Sequence, residues 1–178
     1  TAQHLSDVMA GTESGNRMNL ETFVQRNYME KILCDANRRF RDMSNGQFEL
    51  KLINVEDAGE GKNKGLDLEV YSIVTGKTRS VNTLSGGESF MAALSLALGM
   101  ADQIQAATAA IHLDVMFIDE GFGSLSDNAR NEAVNILKEM AGKQRQIGII
   151  SHVSELKDEI ENQLIVKKDD RGSHISWR

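Results

Sequence analysis

The sequence predicts an α/β fold in which parallel strands are covered by helices, preceded by one long helix and an antiparallel hairpin. Three observations carry this expectation. Val115–Ile118 and Ile147–Ile150 are short apolar runs of the kind found in strands buried on both faces. Helical patterns follow them, at about Asp127–Ala141 and Val153–Glu161, and strand, helix, strand, helix is the order of a parallel sheet under helices. Upstream, the apolar spacing is helical before residue 43 and alternates in the strand manner after residue 47.

Taken in order, residues 1–19 read as an irregular lead-in, with Gly11 and Gly15 among Ser, Thr and Asn. A helix is predicted from near Asn19 to about Met43, because Leu20, Phe23, Val24, Ile32, Leu33, Ala36 and Phe40 recur mostly at three- and four-residue steps. Ser44-Asn45-Gly46 stops it. Phe48, Leu50 and Leu52 then alternate with polar residues, as do Leu66, Leu68 and Val70, which predicts two antiparallel strands. Between them, 57–65 holds three glycines and four charged residues and is expected to be a mobile hairpin loop. A second long helix is predicted to open at Gly86-Gly87 and run to about Ala107, and Leu164–Lys167 with His174–Trp177 forms a candidate final hairpin.

Composition sets the outer bounds. The 178 residues suit about one domain, and 40% hydrophobic with 26% charged residues is the balance of a globular chain, not a disordered one. The longest nearly apolar stretch, 90–101, includes Ser95 and falls well short of the roughly 20 residues that cross a bilayer, so no bilayer-crossing helix is expected. No basic-then-apolar leader is visible at the N-terminus. A single cysteine, Cys34, excludes an internal disulfide and any cysteine-cluster metal site, which fits a reducing, cytoplasmic setting without a membrane. Net charge is −6, and residues 84–178 carry 9 basic against 14 acidic groups, so any nucleic-acid contact here is expected to be local or supplied by another chain.

Four segments invite chemistry. Gly76-Lys77-Thr78 has the end of a phosphate loop but not its first glycine, since Tyr71 stands there, and it is read as a turn between strands. Leu84-Ser85-Gly86-Gly87-Glu88 is a capping box by its Ser-x-x-Glu spacing. Its two glycines exceed what a cap needs. They let a phosphate approach backbone N–H groups at the positive end of the helix dipole. Val115–Asp119 followed by Glu120 is an apolar strand ending in two carboxylates, where repulsion and desolvation are expected and a magnesium ion would relieve both. Ser151-His152 lies directly after the second apolar strand, at the strand end where open sheets bind ligands.

Together these segments resemble the C-terminal half of an ABC-type ATPase head, with signature motif, Walker B and H-loop in order. The spacings from Ser85 to Asp119 and from Asp119 to His152, nearly equal, suit that family. Within it, 83–99 and Phe117-Ile-Asp-Glu-Gly-Phe-Gly-Ser-Leu125 resemble the SbcC subunits of bacterial SbcCD exonucleases, and Leu20-Glu-Thr-Phe23 with 28–39 resembles the helix by which their coiled coil returns to the head. Asp-Glu-Gly-Phe-Gly separates this pattern from the Asp-Glu-Pro of ABC transporters and the Asp-Glu-Val-Asp of SMC proteins.

The resemblance implies roles residue by residue. Asp119 would hold magnesium, Glu120 the attacking water and His152 the γ-phosphate. Ser85, Gly86 and Gly87, with Glu88 closing the motif, would meet the γ-phosphate of ATP held by a second head. The family's D-loop aspartate would follow Leu125 directly, but Ser126 stands there and Asp127 comes next, which leaves open which of them makes the cross-dimer contact, and the alternative for Asp127 is a plain N-terminal helix residue. The resemblance also implies residues 1–43 as lead-in and coiled-coil root, 44–178 as the ATPase lobe, and a phosphate loop on an N-terminal half. The implied partners are that half, a second head, an SbcD-like metallo-nuclease and DNA, in double-strand-break processing. An SMC-like chromosome-organising ATPase is the alternative, and a transporter subunit the weaker one.

Overall fold

The computed structural model describes residues 19–54, 65–107, 113–141, 145–170 and 172–178. The expected lead-in and most of the expected 57–65 loop lie outside them. Helix α1 (Leu20–Met43) starts where Asn19 accepts the Thr22 N–H at 2.7 Å, an N-cap. It ends as the sequence indicates. Asn45 and Gly46 both have positive φ, and the Gly46 N–H turns back to Arg41 O at 2.7 Å.

The buried stripe of α1 is its C-terminal half: Leu33, Ala36, Phe40 and Met43. Full burial of Phe40 alone contributes about 2–3 kcal/mol. Leu20, Phe23, Val24 and Tyr28 are exposed, so the first turns are held far less firmly.

Strands β1 (Phe48–Leu52), β2 (Leu68–Ser72) and β3 (Lys77–Ser80) form an antiparallel sheet in the order β1-β2-β3, the third strand starting inside the segment read as a turn. The turn before β3 contains Gly76 at φ +67, but Lys77 and Thr78 are already paired with Ser72 and Tyr71. The turn reading of Gly76-Lys77-Thr78 therefore holds only for its glycine. Rejection of a phosphate loop stands, because a strand follows where a helix would have to. Asn37 of α1 fastens this sheet through Leu50: its amide donates to Leu50 O at 2.8 Å and its carbonyl accepts the Leu50 N–H at 2.7 Å.

Helix α2 (Gly86–Ala107) lies against α1. By length and composition it is apolar enough to cross a membrane, which the expectation from the 90–101 run missed. Only Glu88 and Asp102 are charged within the helix, so the apolar window extends beyond that run. Its Met91, Ala92, Leu94, Leu98 and Ala101 are buried in the shared core, as in a core helix. Gly99 sets the crossing distance. A Cβ there would stand 2.7 Å from Ile32 O and 2.9 Å from Ala36 N, both backbone atoms that cannot swing away. Gly99→Val is expected to cost about 3 kcal/mol, the upper end for overpacking, read as a fall in the midpoint of chemical denaturation; an unchanged midpoint would show that the two helices separate freely.

Strands β4 (Val115–Asp119) and β5 (Gln146–Ile150) pair in parallel, linked through α3 (Asp127–Ala141), whose Ala133, Val134 and Leu137 enter the core. Ile118 is buried, but Val115, Phe117 and Ile150 are exposed, Phe117 to 70%. The expected burial on both faces fails because nothing among the described residues covers that side. The Phe117 ring crosses Gly148, where a Cβ would stand 2.6 Å from it. Only Leu156–Glu159 of the expected 153–161 helix forms, as the one-turn α4. The final hairpin, β6 (Leu164–Asp169) and β7 (Gly172–Trp177), is longer than expected and places Leu164 opposite Trp177 and Val166 opposite Ile175, all four exposed.

Candidate functional site

The carboxyl ends of β4 and β5 lie side by side, in register Asp119 to Ile150. The Glu120 N–H donates to Ile150 O at 2.8 Å, extending the ladder by one bond before the chain turns. Glu120 has φ +58 and Gly121 φ +95, a left-handed pair that swings the chain off the sheet. For a non-glycine residue this backbone costs roughly 1–2 kcal/mol. Such strain persists where the surroundings enforce it, and it accumulates at functional sites.

The turn presents Glu120 toward β5's continuation. His152 Nδ1 lies 2.8 Å from Glu120 Oε2, joining residues that are distant in sequence. Both side chains are open to solvent, and Asp119 is exposed beside them. The desolvation expected for the carboxylate pair therefore does not act in this chain, and for the same reason that Phe117 is bare.

Phe90 on the first turns of α2 enforces this corner. Its ring occupies the place of a Gly121 side chain, 2.1 Å from where a Cβ would be, and meets Phe122 edge-on at 5.0 Å between centroids. Phe122 is fully buried. Gly87 packs as closely on the other side, since a Cβ there would be 2.6 Å from Ser124 O. One glycine of the pair is thus required by packing against the Phe122–Ser124 turn. Gly86 is not: its Cβ would meet only Ser124 Cβ, at an ordinary 3.7 Å. Gly86 is the glycine whose absence of side chain the packing leaves unexplained.

The capping box is realised in full. Glu88 N–H donates to Ser85 Oγ at 3.3 Å, and Ser85 N–H donates to Glu88 Oε2 at 2.7 Å. Burial pushes the Glu88 carboxyl up, but the Ser85 N–H, the Arg79 guanidinium and the Ser85 hydroxyl outweigh it and hold it below its ordinary range. Further along, Ser126 Oγ accepts the Ala129 N–H at 3.4 Å at the start of α3, and Asp127 is exposed and paired with Arg130 at 2.5 Å.

The structure therefore joins Glu120 with His152, and sets Asp119 beside them. Ser85 to Glu88 form a second cluster, linked to the first through Phe90, while Ser126 and Asp127 start α3. Sequence reasoning missed Arg79 and Phe90. Phe90 reads as one more apolar residue of α2, and no local spacing pairs Arg79 with a carboxylate on the far side of a turn. Among the described residues no group of three or more His, Cys, Asp or Glu side chains forms a metal cage. An exposed Asp119 fits a magnesium ion, which usually takes one or two carboxylates and fills its other positions with water and phosphate oxygens.

Residues 63–139 match the SbcC/RAD50-like Walker B family model. The C subunit of the SbcCD nuclease of Vibrio cholerae is 45% identical over 172 residues, and that of Lactococcus lactis 41% identical over 169 residues. These cover 96% and 92% of this chain, but the chain spans only 17% and 16% of those proteins. Among solved structures, one from work on ATP-driven dimerisation and DNA-stimulated activation of SMC ATPases matches at TM-score 0.66 and 19% identity, over 88% of this chain and 89% of that one. An Smc head domain with an extended coiled coil from Pyrococcus furiosus, bound to a ScpA domain, matches at TM-score 0.63 and 17% identity, over 99% and 39%. The fold is the one seen in SMC head domains, and over nearly its whole length the chain resembles the C subunits of SbcCD nucleases, with residues 63–139 matching the SbcC/RAD50-like Walker B model.

Proposed function

We propose that this chain is the C-terminal lobe of an ATP-binding and ATP-hydrolysing head in an SbcC-type complex that processes DNA double-strand ends in the cytoplasm. The observation that carries this reading is the 2.8 Å contact of Glu120 with His152 at the ends of adjacent parallel strands. A carboxylate and an imidazole held together at a strand edge are the groups needed to orient a water and meet a γ-phosphate. In this reading Glu120 accepts a hydrogen bond from the water and takes up its proton as the water attacks. His152, fixed through Nδ1, keeps Nε2 for the phosphate. Asp119 would hold magnesium, which offsets charge on the phosphate oxygens. Ser85 and Gly86 present a hydroxyl and N–H groups to the nucleotide of a second head, with Gly87 and Glu88 shaping that corner. Ser126 or Asp127 makes the remaining cross-dimer contact.

The reading divides the chain at residue 43, with α1 as the root of a coiled coil and 44–178 as the lobe. Its partners are an N-terminal half bearing the phosphate loop, a second head, an SbcD-like metallo-nuclease and DNA. Two uncovered apolar faces support the N-terminal half: Val115, Phe117 and Ile150 on one sheet, and Leu164, Val166, Ile175 and Trp177 on the hairpin. A lone lobe has no reason to leave them bare, because burying each would contribute about 1.5–3 kcal/mol.

Trp177 makes a direct test, as it is the sole tryptophan and 78% exposed. Adding the N-terminal half is expected to shift its emission to shorter wavelength and to bring about ATP turnover, with none expected from this chain alone. Turnover by the chain alone, or an unshifted emission in a mixture that does hydrolyse ATP, would overturn the two-half arrangement.

A further inference from the structure

The corner ahead of α2 is fastened by one side chain from outside the motif. Arg79, on β3, donates through Nη1 to Thr83 O at 2.6 Å and Thr83 Oγ1 at 3.0 Å, and through Nη2 to Glu88 Oε2 at 3.3 Å. The Phe48 ring supports the guanidinium, 5.3 Å from its centre. Thr83 Oγ1 in turn donates to Ser80 O at 2.6 Å, which ties the Val81–Thr83 turn to the end of β3. The Glu88 oxygen that Arg79 contacts is the same one that accepts the Ser85 N–H. Sheet, turn, Glu88 and Ser85 are thereby joined through a single planar fork.

We propose that Arg79 is a positioning residue for the Ser85-Gly86 corner: it fixes that corner to the β1–β3 sheet and offsets the Glu88 charge beside it. The inference rests on the reading of Ser85 as a nucleotide contact. A phosphate brought to α2 would otherwise meet an uncompensated carboxylate within the first helical turn, which repels it. With Arg79 in place it meets a hydroxyl, N–H groups and a carboxylate whose charge the guanidinium offsets. A lysine cannot replace the arrangement, because an ammonium lacks the fork that reaches Thr83 O and Glu88 together. The alternative role, a residue that only stabilises the sheet edge, would lower Tm and leave nucleotide-dependent assembly of the folded protein intact.

The test uses Arg79→Met, whose stem still covers Phe48, and Arg79→Lys. In the chain itself, amide hydrogen exchange at Ser85 is expected to quicken roughly tenfold in Arg79→Met, because the acceptor of that N–H is released. In the head formed with the N-terminal half, ATP-dependent dimerisation followed by sedimentation should weaken roughly tenfold, with ATP binding to single heads unchanged. Arg79→Lys should recover less than half of either loss. Unchanged Ser85 exchange overturns the positioning role whatever the head does. Normal dimerisation of Arg79→Met beside a wild-type head that dimerises overturns it too. A wild-type head that ignores ATP refutes instead the nucleotide reading of Ser85, and Ser85 exchange still decides whether Arg79 holds the corner.

Discussion

Glu120→Gln in the two-part head is expected to lower ATP hydrolysis by roughly 10²- to 10⁴-fold while leaving ATP binding in place. The substitution keeps size and hydrogen-bonding capacity but removes the charge that draws a proton from the attacking water. It should also leave the backbone undisturbed, since the left-handed turn at Glu120 and Gly121 is enforced by Phe90 and by the Glu120 N–H bond to Ile150 O, neither of which involves the carboxylate. The amide oxygen still accepts from His152 Nδ1, so the imidazole stays in position. With hydrolysis blocked and nucleotide retained, head dimers should accumulate. Single-turnover measurement separates the cases: a rate close to that of wild type would remove Glu120 from the catalytic role and move it to His152.

How much of this site is legible depends on how far each interaction reaches along the chain. The capping box, the stop at Ser44-Asn45-Gly46 and the start of α2 are decided within a few neighbouring residues, and the spacing of residue types announces them. The Glu120–His152 contact reaches across a whole strand-helix-strand unit, yet it is readable, because each residue terminates a recognisable apolar strand and parallel strands align their ends. Arg79 is not readable. Its partners lie across a turn from its own strand, and a polar strand such as Lys77–Ser80, with three of four residues exposed, carries no apolar alternation to fix its bounds.

The largest error has a different origin. Val115–Ile118 has the composition of a doubly covered strand and is covered on one face only. Composition reports the environment a segment is fitted for, and here that environment includes surface that the described residues do not supply. The same mismatch explains why Asp119 and Glu120 are open to solvent although their sequence position marks them for a closed site.

Ser85→Arg distinguishes the two roles that one side chain combines. As a cap, Ser85 satisfies the Glu88 N–H, and losing it should cost about 0.5–2 kcal/mol of stability. As a nucleotide contact it faces a phosphate held on another head, and the bulk of an arginine there would stand where that phosphate has to approach the start of α2. The capping role alone predicts a less stable protein whose folded fraction still dimerises with ATP. The contact role predicts that single heads bind ATP normally, because the phosphate loop of the N-terminal half holds it, while closure of two heads around nucleotide is lost. Stability cannot mimic the second result, since losing a cap lowers the folded fraction and does not stop the heads that remain folded from closing on ATP. Sedimentation of the mutant head in both conditions decides the matter: an ATP-induced dimer of normal size would reduce Ser85 to a helix cap, and its disappearance at full ATP occupancy would assign the serine to the opposite head's phosphate.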